Sequence, residues 1–267
     1  MSNPIIGYYI ENMASKEFIE ALFAKYGIRY RKSYGYKKCK EVYYDSRVTI
    51  DEDEFIKMSR GGWCPSPIGY HINNLKSGKL VGHNWHDARP SMLHLSLQEK
   101  VRECIKGQSD IETLWDIAKD IMKQEYFMVA THDLCESLII SAFSDTLPPT
   151  RNKSISDFIF KSIPYDLKVS TYPKKWTKGV CKTQQDRIDL AVMLMENADT
   201  QRIRKQAKGT YNGWGNNRFY ILVSSQSMWF NETDLLMKNI KEQIAQLGEP
   251  LRVVVEGESL LVQIIEV

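Results

Sequence analysis

Apolar positions recur with helical spacing in several stretches of the chain and alternate in others. Residues Lys16 to Tyr26 carry Phe18, Ile19, Leu22 and Phe23 on one side, which predicts a helix. Gly27 to Lys40 is dense in Arg, Lys and Tyr. Gly61 to His94 is rich in Gly, Pro, Asn and Ser, the composition of a long functional loop or insertion. Ile111 to Gln124 repeats Leu114, Ile117, Ile121 and Met122, an amphipathic helix. Phe127 to Phe143 reads as a more buried helix, stopped by Pro148-Pro149. The period then changes. Ile155 to Phe160 and Tyr165 to Thr171 are short β-rich runs around Lys161-Ser162-Ile163-Pro164, a predicted hairpin. A helix is expected over Thr183 to Lys205 and a central strand over Arg218 to Ser224. A further helix is expected over Asn231 to Leu247, capped by Asn231 or Thr233. Leu251 to Glu256 and Leu260 to Val267 form closing strands around Gly257. This order predicts an α/β fold with a mixed central sheet flanked by helices. Residues 111–267 would form its core, and residues 1–110 an N-terminal elaboration for specificity or dimerisation.

Composition narrows the class. The 267 residues are 43% hydrophobic and 26% charged, which excludes collagen-like, coiled-coil and wholly disordered chains. No stretch approaches the roughly 20 consecutive apolar residues of a membrane helix. The first dozen residues lack the basic-then-apolar pattern of a secretory signal, so a soluble, cytoplasmic protein is expected. Cys39, Cys64, Cys104, Cys135 and Cys181 are odd in number and widely spaced, which favours reduced thiols over a disulfide framework.

The hairpin carries the chemistry. Asp166 and Lys168 lie two apart and share one face of their strand, with Leu167 and Val169 on the other. A two-residue turn at Lys161-Ser162 sets Phe160 opposite Ile163 and Asp157 opposite Asp166. Directly opposed residues have Cβ atoms roughly 4.5–5.5 Å apart, so the two carboxylates repel unless a divalent cation sits between them. Mg²⁺ suits oxygen ligands of this kind, with Mn²⁺ as a substitute. The Lys168 ammonium could then orient and acidify an attacking water. The bland alternative is a solvated strand face with a cross-strand ion pair.

Asp157, a short spacer and Asp166-x-Lys168 resemble the motif of the PD-(D/E)XK nuclease superfamily, as found in type II restriction endonucleases. The resemblance covers about Phe127 to Ser224, including the helix and strand that follow the motif. Ser156 stands where the family usually has proline. The helix from Thr183 lacks the glutamine-to-tyrosine pattern of exonucleases. The resemblance implies a restriction-endonuclease-like core and Mg²⁺-dependent hydrolysis of DNA phosphodiesters, leaving 5′-phosphate and 3′-hydroxyl ends. It also implies a homodimer cutting both strands of a specific double-stranded site. Asp157 and Asp166 would bind metal, with the Leu167 carbonyl as a further ligand, and Lys168 would activate water. Glu136, on the preceding helix, would hold a second metal or a water. His132, beside Asp133, reads instead as a packing or supporting residue.

Charge distribution adds a DNA surface. From Arg151 to Lys182, eight Lys and Arg face only Asp157 and Asp166. Lys174, Lys175, Lys178 and Lys182 could meet a phosphate backbone. Arg29, Arg31, Lys32, Lys37 and Lys38 form a second basic segment, either a DNA-recognition element or an edge strand blunted by lysines. Lys205, Lys208 and the loop Gly209 to Gly215 are weaker candidates.

Two rivals remain open. The basic segments would serve equally in a non-catalytic DNA-binding or regulatory module. Cys64, His71, His83 and His86 invite a zinc site, although their spacing matches no common finger and loop histidines bonded to backbone are the plainer account. Trp63, Trp85 and Trp176 could be core anchors or base-stacking groups. Repair and mobile-element processing are alternatives to restriction.

Overall fold

The computed structural model describes residues 3–61, 131–151, 154–173, 176–206, 217–225, 228–255 and 257–267, with backbone alone for 196–206 and 230–231. The turn-rich segment 61–94, the helix expected over 111–124, the 110/111 boundary and the Cys64, His71, His83 and His86 set lie outside the described residues, Gly61 apart. So do Trp63, Trp85, Lys174, Lys175, Lys208, the loop 209–215 and the Lys205 side chain.

Four helices open the chain: α1 (Pro4–Asn12), α2 (Lys16–Lys25), α3 (Tyr36–Ser46) and α4 (Glu52–Gly61). Asn3 caps α1 by accepting the Ile5 N–H, with Pro4 at the first helical position. Ser15 caps α2 in the same way through the Phe18 N–H. Ile6, Tyr9, Ile10, Phe18, Leu22, Phe23, Tyr43 and Phe55 are buried together between these helices. Gly7 of α1 lies against the tip of the Tyr44 side chain of α3, which a larger residue there would displace. Residues 29–35 of the basic segment form a loop and Lys37 and Lys38 lie in the first turn of α3, so the edge-strand alternative is overturned. Its alternation was too short to outweigh the helical spacing of Cys39 and Tyr43, which puts both on the buried side.

Residues 131–142 are helical and are called α5. The hairpin follows as β1 (Phe158–Phe160) and β2 (Ile163–Thr171), then α6 (Gln184–Gln206), β3 (Asn217–Val223), α7 (Met228–Asn231), α8 (Thr233–Ala245), β4 (Leu251–Val255) and β5 (Glu258–Glu266). The five strands form one mixed sheet in the order β1-β2-β3-β5-β4. β3 is central and runs parallel to both neighbours, while the β1–β2 and β4–β5 pairs are antiparallel. Leu134, Cys135, Ile139 and Ile140 of α5 and Leu236, Ile240 and Ile244 of α8 cover one face over Leu167, Phe219 and Ile221. Leu190, Ala191 and Leu194 of α6 cover the other over Tyr220, Leu222 and Val262, and Trp176 packs at this cluster's margin. The chain is therefore an α/β fold with a five-stranded mixed sheet flanked by helices.

Neither Asn231 nor Thr233 caps α8. Glu232 holds the cap position without a side-chain bond, because the short α7 precedes it and the Thr233 hydroxyl donates back to the Trp229 carbonyl. Asp186 and Thr183 close a capping box at the start of α6, with the Asp186 carboxylate taking the Thr183 N–H at 2.8 Å.

The amino-terminal helices pack onto the segment that enters β1. Leu147 and Ile159 share their core. The Thr150 and Arg151 N–H groups donate to the Met13 carbonyl at 3.0 and 3.1 Å. Tyr8 and Ser156 exchange a hydrogen bond of 2.8 Å, and the Arg151 guanidinium lies 4.3 Å from the Tyr36 ring centre. No helix among the described residues is long and apolar enough to cross a membrane.

Candidate metal centre

The hairpin turn is the expected two residues. Lys161 and Ser162 both have positive φ, 47° and 61°, the arrangement that matches the twist of paired strands. The register runs Phe160 with Ile163, Ile159 with Pro164 and Phe158 with Tyr165 and ends there, one residue short of the expected Asp157–Asp166 pair: the Asp157 N–H turns to the Tyr165 carbonyl instead. β1 itself begins at Phe158. Asp157 joins the ribbon by its own bonds: its N–H donates to the Tyr165 carbonyl at 2.9 Å, and its Oδ2 accepts the Leu167 N–H at 2.6 Å. Leu167 thus meets the centre through its amide N–H, where sequence pointed to its carbonyl.

α5 supplies the other wall. Leu134, Cys135 and Ile139 turn into the core, which leaves His132 and Glu136 at the rim of that stripe, one turn apart. His132 Nε2 lies 3.3 Å from Asp157 Oδ2, and its Nδ1 lies 3.7 Å from Asp133 Oδ1 and 3.8 Å from Glu136 Oε2. Among the described residues, His132, Glu136 and Asp157 bring one donor atom each within 4.8 Å of one another, a group that could hold a metal ion. Two carboxylates and an imidazole, from α5 and from the residue just before β1, suit a divalent cation with bonds of about 2 Å, after small side-chain movements.

The strand acids have separate partners. Asp166 Oδ1 accepts from Lys168 Nζ at 2.6 Å, and its Oδ2 meets Arg218 Nη1 at 2.9 Å. Arg218 is 3% exposed. It is the register partner of Asp166 on β3, so parallel pairing itself brings the two side chains together. Asp166 thus anchors the Lys168 ammonium, while Asp157 faces His132 and Glu136.

Burial and charge set the protonation of the group. Burial disfavours the His132 imidazolium, but Asp133, Asp157 and Glu136 outweigh it and lift the pKa to about 10. Burial, with the Asp157 charge, pushes the Glu136 carboxyl up to about 8. Burial alone would raise Asp157. The His132 imidazolium, the Lys168 ammonium and the Leu167 N–H instead hold it at about 2. Lys168 lies below its usual range because burial outweighs its attraction to Asp166 and Asp157. Without metal, the proton on His132 supplies positive charge beside Asp157.

Of the residues expected from sequence, Asp157 and Glu136 stand in the donor group, Lys168 acts on Asp157 through its charge, and Leu167 contributes backbone; Asp166, expected as a metal ligand, is instead held by Lys168 and Arg218. Sequence reasoning gave His132 only a supporting place and passed over Arg218. The His132-x-x-x-Glu136 spacing was the signal for the first. Nothing local marks the second, which requires the β2–β3 register. Arg29, Arg31, Lys32, Lys37 and Lys38 are exposed, with Lys32 paired to Glu20 and Lys38 to Glu41. Lys178 and Lys182 are exposed on the segment between β2 and α6. Cys39, Cys135 and Cys181 are free thiols. Comparison with protein-family models, with curated proteins and with solved structures finds no match to this chain.

Proposed function

We propose that the protein is a divalent-metal-dependent endonuclease with a PD-(D/E)XK-like core, hydrolysing phosphodiesters of double-stranded DNA. A type II restriction enzyme acting as a homodimer on a specific site is the form this takes. The observation that carries it is the meeting of Asp157 with Glu136 on one side and the Lys168–Asp166 pair on the other, at the mouth of a hairpin preceded by α5. The succession of helix, hairpin, helix and parallel strand supports the same family core.

A divalent cation held by Asp157, Glu136 and His132, Mg²⁺ or Mn²⁺, would supply Lewis-acid charge to the scissile phosphate. The chain does the rest. Lys168 Nζ, fixed by Asp166, donates to the attacking water or to a non-bridging phosphate oxygen, and its partial burial makes a proton there easier to release. Arg218 holds Asp166 in place for that task. Arg29, Arg31, Lys32, Lys37, Lys38, Lys178 and Lys182, with Lys174 and Lys175 in the same basic stretch, neutralise backbone phosphates and favour DNA over uncharged polymers.

The test is incubation of supercoiled plasmid with purified protein in Mg²⁺ or Mn²⁺ and, separately, in EDTA. Metal-dependent nicking or linearisation, with labelled 5′-phosphate ends, is the expected result. DNA retention without cutting under all metals would replace the enzyme with a binding module.

A further inference from the structure

We propose that the centre is selective for a nitrogen-accepting first-row cation and takes Mn²⁺ in preference to Mg²⁺, with the His132 imidazole as the discriminating ligand. This inference rests on the metal-dependent reading of the same site. The β-hairpin would be expected to offer two carboxylates, an all-oxygen set that suits Mg²⁺. The structure engages one of them elsewhere: Asp166 is paired with Lys168 at 2.6 Å and with the buried Arg218 at 2.9 Å. The donor that stands with Asp157 and Glu136 is an imidazole, 3.3 Å from Asp157 Oδ2.

That exchange changes the metal chemistry. Mg²⁺ is small, demands near-ideal octahedral oxygen ligation and sheds its water reluctantly. Imidazole binds transition metals, whereas carboxylates suit Mg²⁺, Ca²⁺ and Mn²⁺, so one nitrogen beside two carboxylates fits Mn²⁺ best among the hard ions. Cys135, the neighbouring thiol on α5, is buried in the apolar core and adds no thiolate, so zinc competes only through the same nitrogen and carboxylate donors. Asp133 stands 3.7 Å from His132 Nδ1 and can hold the ring in a fixed orientation, as carboxylates commonly do behind metal-bound histidines.

The experiment titrates Mn²⁺ and Mg²⁺ into the full chain without DNA and records the pulsed electron-spin spectrum of bound Mn²⁺. Mn²⁺ should bind at least about tenfold more tightly than Mg²⁺, and the spectrum should show coupling to one imidazole nitrogen. His132→Asn, which keeps an oxygen donor, should lose that coupling and bring the two affinities within about threefold of each other. The wild-type spectrum decides the matter even if the variant misfolds. Equal affinities without nitrogen coupling would overturn the selectivity. Metal-dependent cleavage in that case would leave the nuclease proposal standing. Nitrogen-coupled Mn²⁺ binding without cleavage of any DNA would uphold the selectivity and remove the nuclease. Tighter Zn²⁺ than Mn²⁺ binding under matched conditions, with Zn²⁺ also supporting the greater cleavage, would overturn the choice of ion.

Discussion

Asp166 and Arg218 stand opposite each other on adjacent parallel strands, and the guanidinium closes on the carboxylate at 2.9 Å. Because Arg218 is buried, its removal leaves Asp166 with only part of its compensating charge. Arg218→Met is expected to cost roughly 2–3 kcal/mol, since breaking a buried pair costs more than the pair is worth. Arg218→Lys should recover some of that loss. Urea unfolding followed by circular dichroism measures both, and a loss below about 0.5 kcal/mol would show that the pair is not stabilising the β2–β3 junction.

Asp157 and Lys168 should separate by readout. Asp157→Ala removes a donor of the metal group and should lose both metal binding and cleavage. Lys168→Ala should keep metal binding and lower cleavage by at least about a hundredfold, the scale of a lost proton donor. Both variants should retain DNA in gel-shift assays. Cleavage by either at the wild-type rate would remove the assignment.

Proton linkage predicts an unusual pH response. His132 binds its proton more tightly folded than unfolded, so its contribution is complete below about pH 6.5 and is lost as pH rises through about 10. Glu136 is protonated in the fold up to about 8, so folding also weakens as pH rises from its ordinary range through 8. The metal-free protein should thus become less stable between pH 7 and 10. Metal affinity runs the other way, because the cation must displace those protons, and binding should strengthen by up to about two decades per pH unit below pH 8. Thermal melts with and without Mn²⁺ across this range test both trends. A metal-free Tm that rises from pH 7 to 10 would contradict the assigned protonation.

Ser162→Gly is expected to stabilise the hairpin. Ser162 has φ of 61°, where a side chain costs roughly 1–2 kcal/mol that glycine avoids. Part of that gain is offset by glycine's greater freedom in the unfolded chain, so about 0.5–1 kcal/mol should remain. A raised urea midpoint at unchanged slope is the expected outcome, and a lowered midpoint would count against the turn geometry.

The carboxy-terminal half was largely legible in the sequence. β2, β3, β4 and β5, α6 and α8 lie within a few residues of expectation, because their periods were strong and Gly257 and Pro148-Pro149 marked the breaks. The hairpin register was legible from Phe160–Ile163 to Phe158–Tyr165, since a two-residue turn leaves one alignment, but the pairing stops before Asp157. The amino-terminal helices were harder. α1 is short and apolar on most sides, α3 buries only Cys39 and Tyr43 among charged residues, and α4 only Phe55 and Ser59, so no clean apolar stripe announces them. Asp157 and Glu136 followed from motif order, whereas Arg218, the second partner of Asp166, depends on β3, some 50 residues further along.

The bond between Tyr8 and Ser156, one residue before Asp157, ties the approach to that carboxylate to the amino-terminal helices. The amino-terminal layer is therefore a mould for the ribbon rather than a detachable accessory. Severing the chain ahead of α5 would strip Leu147 and Ile159 of their packing and leave the strand acid without a fixed bed. Damage at Tyr9 or Met13 would loosen the bed on which Leu147 and Ile159 rest.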